Sequence, residues 1–222
     1  MTTIAPVDAA TLYRARAGRV DFVDVGTATF LVVDGSGDPG GTEFAAALSA
    51  LFPVAYALRF ALRERGVDEK VSPLEALWWS PSPVSDFAAA SAAGGFTARQ
   101  KQAWRWQAMI RVPQAADEAF VVQTARATER RRPELAGAID RVRYLTWTEG
   151  RAAQTLHVGP YSEELRTVQA LHAAIAAAGC RPRGRHHEIY LSDPRRCAPE
   201  RLRTILRQPV EQSSTGVFPG QA

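Results

Sequence analysis

Lysine and cysteine are both scarce in this chain, and each scarcity excludes a class of protein. Lys70 and Lys101 are the only lysines among 222 residues, so arginine carries the positive side of the net charge of +4. No helix-turn-helix or RNP-like aromatic pattern accompanies the arginines, and we predict no nucleic-acid partner. Cys180 and Cys197 make no CxxC or metal-type spacing, which indicates reduced structural thiols.

Targeting signals and long apolar runs are missing as well. The N-terminal residues MTTIAPVDAATLYRARAG lack a basic segment followed by an apolar one, and no uninterrupted apolar stretch reaches about 18 residues. We therefore expect a cytoplasmic protein without a membrane partner, present as a monomer or a homodimer. With 46% hydrophobic residues the chain is long enough to bury a substantial core.

Two motifs that point to cofactors are weak. The segment GSGDPG, residues 35–40, matches GxGxxG, but the flanking Asp34 and Asp38 would repel a pyrophosphate. His186 and His187 are adjacent and face opposite ways in a strand, so they do not easily ligate one metal. We predict no cofactor and no metal.

One order of elements occurs twice along the chain. In the first half a strand pair, RVDFVDV and TATFLVVDG, precedes the helix TEFAAALSALFPVAYALRFALRERG and the strands PLEALWWS and WRWQAMIRV. In the second half the pair is RVRYLTWTEG and AAQTLHVG, followed by the helix SEELRTVQALHAAIAAAGC and the strands HEIYLSD and LRTILRQPV. We predict an α+β fold of tandem duplicated strand-helix-strand-strand units that form one ligand groove.

The predicted domain is single and covers residues 1–222. Its first repeat spans 15–132 and contains a mobile loop at 80–100, which is rich in Pro, Ser, Ala and Gly. The second repeat spans 133–210. Residues 211–222 lack periodicity, and we expect them to form a disordered tail.

Each half places one glutamate inside a strand rich in aromatic and β-branched residues. Glu188 shares a strand face with Tyr190, and Glu75 shares one with Trp79. The two glutamates occupy equivalent positions when the halves are aligned by element. A ligand site between the two copies is the simplest reason for such a pattern.

Tryptophans supply a flat surface for such a site. Trp104 and Trp106 are two residues apart on a predicted strand, and Trp79 ends the strand before it. An indole wall would stack on a planar aromatic or cationic ligand for roughly 0.5–2 kcal/mol per contact. Core packing is the alternative role of these side chains.

Six sequence strings carry a family resemblance. In chain order they are VDGSGDPGG, PLEALWW, WRW, LHVGPY with acidic residues following, HHEIYLSDPRR and APERLRTILRQPV. From about Tyr13 to Val210 the chain resembles the GyrI-like small-molecule-binding family, in particular its stand-alone branch. The resemblance implies the effector-binding-domain fold, with Glu188 and Tyr190 at the base of an aromatic pocket. It also implies an activity, because some stand-alone relatives are cyclopropanoid cyclopropyl hydrolases that open duocarmycin-type and yatakemycin-type genotoxins.

Ring opening of a spirocyclopropane requires a base for the attacking water and a donor at the carbonyl oxygen. A carboxylate among aromatic rings is desolvated, which raises its pKa toward neutrality and suits it to act as a base. Glu188 is the predicted base, and Tyr190, Tyr161 or Glu75 is the predicted donor. Tyr161 and His157 are further candidate substrate contacts, although a structural role is the simpler interpretation of His157.

Two functions from different classes remain open at the level of sequence. One is a hydrolase that serves detoxification or self-resistance. The other is a non-catalytic multidrug-binding protein that sequesters or senses a small aromatic or cationic ligand. The chain shows no DNA-binding domain of its own, which favours the hydrolase over a sensor.

Overall fold

The structure is a computed structural model that describes residues 9–80 and 102–213. The helices are α1 (Ala9–Leu12), α2 (Thr42–Glu64), α3 (Glu118–Arg131), α4 (Ala136–Ile139) and α5 (Glu164–Ala177). The strands are β1 (Asp21–Ser36), β2 (Leu74–Trp79), β3 (Arg105–Arg111), β4 (Arg143–Val158), β5 (Cys180–Pro182), β6 (His186–Tyr190) and β7 (Arg203–Gln212). The predicted α+β class is confirmed, and the order strand, helix, strand, strand occurs twice, with β5 inserted in the second half.

Six strands close into an antiparallel barrel. Their order is β4-β1-β3-β2-β6-β7, and a further pairing of β4 with β7 joins the two ends. The two halves meet at two seams, where β1 pairs with β4 and where β2 pairs with β6. The short β5 pairs with the last residues of β7 outside this ring.

The strands β1 and β4 are continuous, so the predicted strand pair in each half is wrong. Each strand changes the face that it buries at one glycine. Val25 of β1 packs inside the barrel before Gly26, and Ala28 packs inside after it. In β4 the change falls at Gly150, whose φ of +74° bends the strand. Such a one-residue shift gives the sequence two separate alternation patterns, which is why each strand reads as two.

Two helices pack on the outer face of the sheet, and the central strands of the sheet lie between them. Helix α2 packs on β1 and β3, while α5 packs on β4, β5 and β7. The paired strands β2 and β6 therefore lie between the two helices. By length and composition Thr42–Glu64 is apolar enough to cross a membrane. Its buried side chains, among them Leu51 and Leu58, pack in the main core, as expected of the core helix of a globular fold.

The predicted loop and tail are only partly covered by the structure. Residues 81–100 of the predicted mobile loop lie outside the described residues. Strand β7 continues through Gln212, two residues into the predicted tail, and residues 214–222 lie outside the described part.

A close contact between Gly35 and Trp106 gives the first prediction. Trp106 is fully buried, and a Cβ added at Gly35 would lie 2.2 Å from its ring. The substitution Gly35→Ala should therefore lower the free energy of unfolding by about 1–3 kcal/mol, the usual cost of overpacking a core. Urea unfolding measures the change.

Gly137→Ala is the matched control for Gly35→Ala. A Cβ at Gly137 meets nothing within 4 Å, and the residue lies in helix α4, where alanine is favoured over glycine. This variant should unfold at the same urea concentration as the wild type or higher. Equal stability of the two variants would contradict the packing argument.

Candidate functional site

Glu188 lies on the outer face of the sheet, at the seam between β2 and β6. Its carboxylate accepts a hydrogen bond from the Tyr190 hydroxyl at 2.7 Å. The Trp78 indole nitrogen donates in turn to the Tyr190 oxygen at 3.2 Å. The Glu188 side chain keeps 12% of its surface exposed, so the carboxylate is mostly desolvated and still accessible from the groove.

The strand register explains this cluster. Ala76 pairs with Glu188, and Trp78 pairs with His186, so all four side chains point to the outer face. Tyr190 follows Glu188 by two residues and shares that face.

A second carboxyl group, Glu164, interacts with Glu188 from the first turn of α5. One of its oxygens, Oε1, is buried and has no hydrogen-bond partner, and Thr204 hydrogen-bonds to the carboxyl group. Burial, followed by the charge of Glu188, raises the pKa of Glu164 to about 9. A helix N-terminus favours a negative charge by only about 0.3–1 kcal/mol, which is less than the cost of burying it. Glu164 is therefore protonated at neutral pH.

The pKa of Glu188 lies lower than that of its partner. Burial raises it to about 7, while the Tyr190 hydrogen bond and the charge of His187 oppose the increase. Burial also lowers the pKa of His186 to about 3, so this ring is neutral where it lies 3.7 Å from the Glu188 carboxylate. The two carboxyls titrate as a coupled pair, which holds one proton, on Glu164, between about pH 7 and pH 9.

Tyr161 forms the exposed edge of the cluster. Its ring meets Tyr190 edge to face, with 6.0 Å between the ring centres, and 41% of the residue is exposed. Burial and the neighbouring Glu164 and Glu188 raise the pKa of Tyr161 to about 12. Its hydroxyl is thus a neutral donor at the opening of the site.

His157 positions the turn that carries Tyr161 and Glu164. Its Nδ1 lies 2.9 Å from the Thr167 hydroxyl, and its Nε2 lies 3.2 Å from the Pro160 carbonyl oxygen. Both ring nitrogens are therefore used within the protein. The structure places His157 behind the site, whereas the sequence analysis counted it as a substrate contact.

Glu75 is not brought together with Glu188. It lies inside the barrel, where Tyr13 donates to it at 2.6 Å and His187 Nε2 lies 2.9 Å from its other oxygen. Because Ala76 pairs with Glu188, Ala76 and not Glu75 shares the face of Glu188. The alignment of the two glutamates is therefore wrong by one residue, and in a strand one residue changes the face.

The predicted tryptophan wall is divided between two places. Trp104 and Trp106 are buried in the core that α2 covers, and Trp106 packs edge to face on Phe44 with 5.0 Å between ring centres. Trp79 lies at one end of the barrel, in a cleft of about 480 Å³. There the Arg185 guanidinium lies 3.6 Å from the centre of its ring. None of the three stands beside Glu188 in the way that Trp78 does.

The barrel interior is too small for a ligand. A cavity of about 10 Å³ remains among Glu75, Glu149, His187 and their neighbours. This volume is about that of one water, whereas sites for drug-sized ligands are about 300–1,000 Å³. Within residues 9–80 and 102–213, no group of three His, Cys, Asp or Glu side chains is arranged to hold a metal.

Two residues of the cluster were missed at the level of sequence. Trp78 was assigned to the face opposite Trp79, but the pairing of β2 with β6 was needed to place it beside Tyr190. Glu164 was present only as one of the acidic residues after LHVGPY. Glu164 follows Tyr161 by three residues at the start of α5, and this spacing was the signal that the sequence offered.

Comparisons with known proteins agree with this fold. Residues 19–211 match the family described as GyrI-like small molecule binding domain. An uncharacterized conserved protein from Listeria innocua is 32% identical, with a TM-score of 0.80 over 91% of this chain and 97% of its own. A hydrolase from Listeria innocua is 30% identical, with a TM-score of 0.76 over 91% and 96%. The EcmrR C-terminal domain shares the fold at 9% identity and a TM-score of 0.50, covering 87% of this chain and 98% of that domain. No curated protein matches the chain significantly.

The raised pKa of Glu164 predicts a stability that depends on pH. A carboxyl that is protonated in the fold and ionised when unfolded lowers stability as pH rises from about 4.5 to 9. The neutral variant Glu164→Gln should therefore gain about 1–3 kcal/mol at pH 8 and little at pH 4, in thermal or urea unfolding. The exposed neighbour provides the control, because Glu163→Gln should change stability little at either pH. A loss of stability at pH 8 in Glu164→Gln would show that the group is ionised in the fold.

Proposed function

The chain belongs to the GyrI-like small-molecule-binding family, and we propose that within it the protein is a cofactor-independent hydrolase. Its proposed reaction adds water to the cyclopropane ring of planar aromatic genotoxins of the duocarmycin and yatakemycin type, for detoxification or self-resistance. The observation that carries the proposal is the pair of carboxyls with raised pKa, Glu188 and Glu164, beside tyrosines at an accessible seam. The hydrolase from Listeria innocua supports the reaction class.

Glu188 is the proposed general base. Its pKa of about 7 gives a substantial ionised fraction at neutral pH and a proton affinity high enough to assist an attacking water. The Tyr190 hydroxyl occupies one carboxylate oxygen and fixes the rotamer of Glu188. The other oxygen, Oε1, remains for the water.

Tyr161 and Glu164 are the proposed donors at the substrate carbonyl. Tyr190 is less suited to that role, because its hydroxyl already donates to Glu188 and accepts from Trp78. Tyr161 is exposed and neutral, and Glu164 carries a proton at neutral pH. A donor that faces the oxygen where negative charge develops stabilises the transition state more than the ground state.

The proposed step balances without a redox partner. Water attacks the strained CH₂ carbon while Glu188 accepts one of its protons, and a carbon–oxygen bond forms. The cyclopropane carbon–carbon bond breaks, and its electron pair moves through the conjugated dienone to the carbonyl oxygen. That oxygen accepts the proton of Glu164 and becomes a phenol. The proton on Glu188 then returns through solvent to Glu164, so the net change is the addition of one water.

Loss of the base gives the third prediction. Glu188→Gln keeps the shape of the side chain but cannot accept the proton of water, so turnover should fall by about 10²- to 10⁴-fold. Binding of a planar ligand, followed by tryptophan fluorescence quenching, should stay within a few-fold of the wild type. The assay follows loss of the dienone chromophore of a spirocyclopropane alkylator and a mass gain of one water.

Glu200→Gln is the matched control for Glu188→Gln. It makes the same chemical change at an exposed residue in the turn before β7, and turnover should stay at the wild-type level. Wild-type turnover by Glu188→Gln itself would remove this residue from the mechanism.

The fourth prediction concerns the pH dependence of turnover. Activity should rise through a pKa near 7 as Glu188 ionises, and fall near 9 as Glu164 loses its proton. In Glu164→Gln the descending limb near pH 9 should vanish and turnover should be lower throughout, because the amide can donate a hydrogen bond but cannot titrate or transfer a proton. A rate that matches spontaneous hydrolysis at every pH, together with tight ligand binding, would instead indicate a protein that sequesters its ligand.

A further inference from the structure

A network of charged side chains is buried inside the barrel, on the opposite face of β6 from Glu188. His187 Nδ1 lies 2.9 Å from one oxygen of Glu149, and its Nε2 lies 2.9 Å from Glu75. Arg207 donates to the other oxygen of Glu149 at 3.0 Å. These four side chains, which we call the barrel network, are each at most 2% exposed.

The two carboxyl contacts of His187 favour its charged form. Its Nδ1 lies 2.9 Å from Glu149 with hydrogen-bond geometry, and its Nε2 lies 2.9 Å from Glu75 as an ion-pair contact without that geometry. Burial would favour the neutral ring, but Glu149 and Glu75 outweigh it and raise the pKa of His187 to about 9. Although burial raises the pKa of Glu149, His187 and Arg207 lower it to about 2. The network therefore holds a histidinium that solvent does not reach.

His187 is the residue that precedes Glu188 in β6. The two side chains point to opposite faces of a single layer of backbone, and no bulk water lies between them to screen the charge. A positive charge in this place favours the ionised form of Glu188. It opposes the burial of Glu188, which favours its protonated form.

The titratable and polar groups around Glu188 and His187 determine which protonation state of each residue is favoured. Glu188 is faced by Tyr190 and His186 of β6, Trp78 of β2, and Glu164 and Tyr161 at the start of α5. His187 is faced by Glu75 of β2, Glu149 of β4 and Arg207 of β7 through Glu149, with Tyr13 and Arg111 lining the same cavity. Two carboxylates and two cations balance the barrel network, so His187 keeps its charge without leaving a net charge buried.

We propose that the barrel network is a positioning unit for the proposed general base, in which His187 fixes β6 by its two carboxylate contacts and holds a positive charge behind Glu188. This proposal rests on the proposed function for the role of Glu188, but not for the electrostatic coupling itself. The network would set the lower edge of the pH range in which the carboxylate is ionised. His187 would act through Glu188 and would not touch the substrate.

The test removes the nearer cation together with its partner, so that no buried charge remains unpaired. His187→Gln combined with Glu75→Gln replaces the contact by two amides that can hydrogen-bond to each other. The carboxyl carbon of Glu188, followed by ¹³C NMR in protein labelled at glutamate, should titrate about half to one pH unit higher, a three- to tenfold change in proton affinity. The signal is assigned by its absence in Glu188→Gln.

Tyr13→Phe is the matched control. It removes the uncharged hydrogen-bond donor of Glu75 inside the same cavity but leaves all four charges of the network in place. The titration of Glu188 should stay at its wild-type position in this variant. An equal shift in the control would show that disturbing the barrel, rather than removing its positive charge, moves the titration.

The wild-type protein tests the proposal even where the double variant does not fold. Nitrogen-15 NMR of labelled histidine should show His187 protonated on both nitrogens from pH 6 to pH 8. A neutral ring in that range, or an unshifted Glu188 titration in a folded double variant, would overturn the proposal. A shifted titration in a protein that never hydrolyses the alkylator would refute the hydrolase and leave the positioning unit in place.

Discussion

The pairing of β2 with β6 is the constraint on which the rest of the structure depends. Together with the pairing of β1 and β4 it joins the two halves of the chain, and it sets Ala76 opposite Glu188. That register sends Glu188 to the groove between the helices and His187 to the barrel interior. A slip of one residue would exchange them, burying the candidate base among charges and exposing the histidine. The chemistry of both faces therefore follows from one strand register.

The two faces handle buried charge in different ways. Inside the barrel, carboxylates and cations are paired at about 3 Å, and each pair offsets part of the desolvation cost of its members. On the outer face, no cation of the described residues is in contact with the neighbouring carboxyls Glu188 and Glu164, and burial raises the pKa of both. The paired charges inside the barrel hold the strands in place. The two carboxyls on the outer face, which lack such pairing, titrate near neutral pH.

The sequence was sufficient for most elements and for one half of the site. Helix α2 and strands β2, β3, β6 and β7 followed from hydrophobic periodicity, and Glu188 with Tyr190 followed from a carboxylate placed in an aromatic strand. The sequence pattern divided β1 and β4 into two strands each. At one glycine in each strand the buried face changes, and the resulting break in the alternation of apolar residues resembles the end of a strand. Glu75 was expected beside Glu188, but the cross-strand register puts it on the other face, and Glu164 from helix α5 is the carboxyl that interacts with Glu188. Trp104 and Trp106 are two residues apart and share a strand face, as the residues of a binding wall would. The alternation of side chains does not show whether a helix covers that face, and here α2 covers it.

Residues just before β1 contact side chains of the late strands β4 and β7. The Leu12 carbonyl accepts from Arg207, although 195 positions separate these residues, and the Arg14 carbonyl accepts from Gln154. The charges inside the barrel are thus neutralised and sealed only when both ends of the chain are in place. During synthesis the first half can bury α2 on β1 and β3 early, whereas the barrel interior must wait for the last strand. Closure of the barrel therefore depends on contacts between residues far apart in sequence, a topology that slows folding.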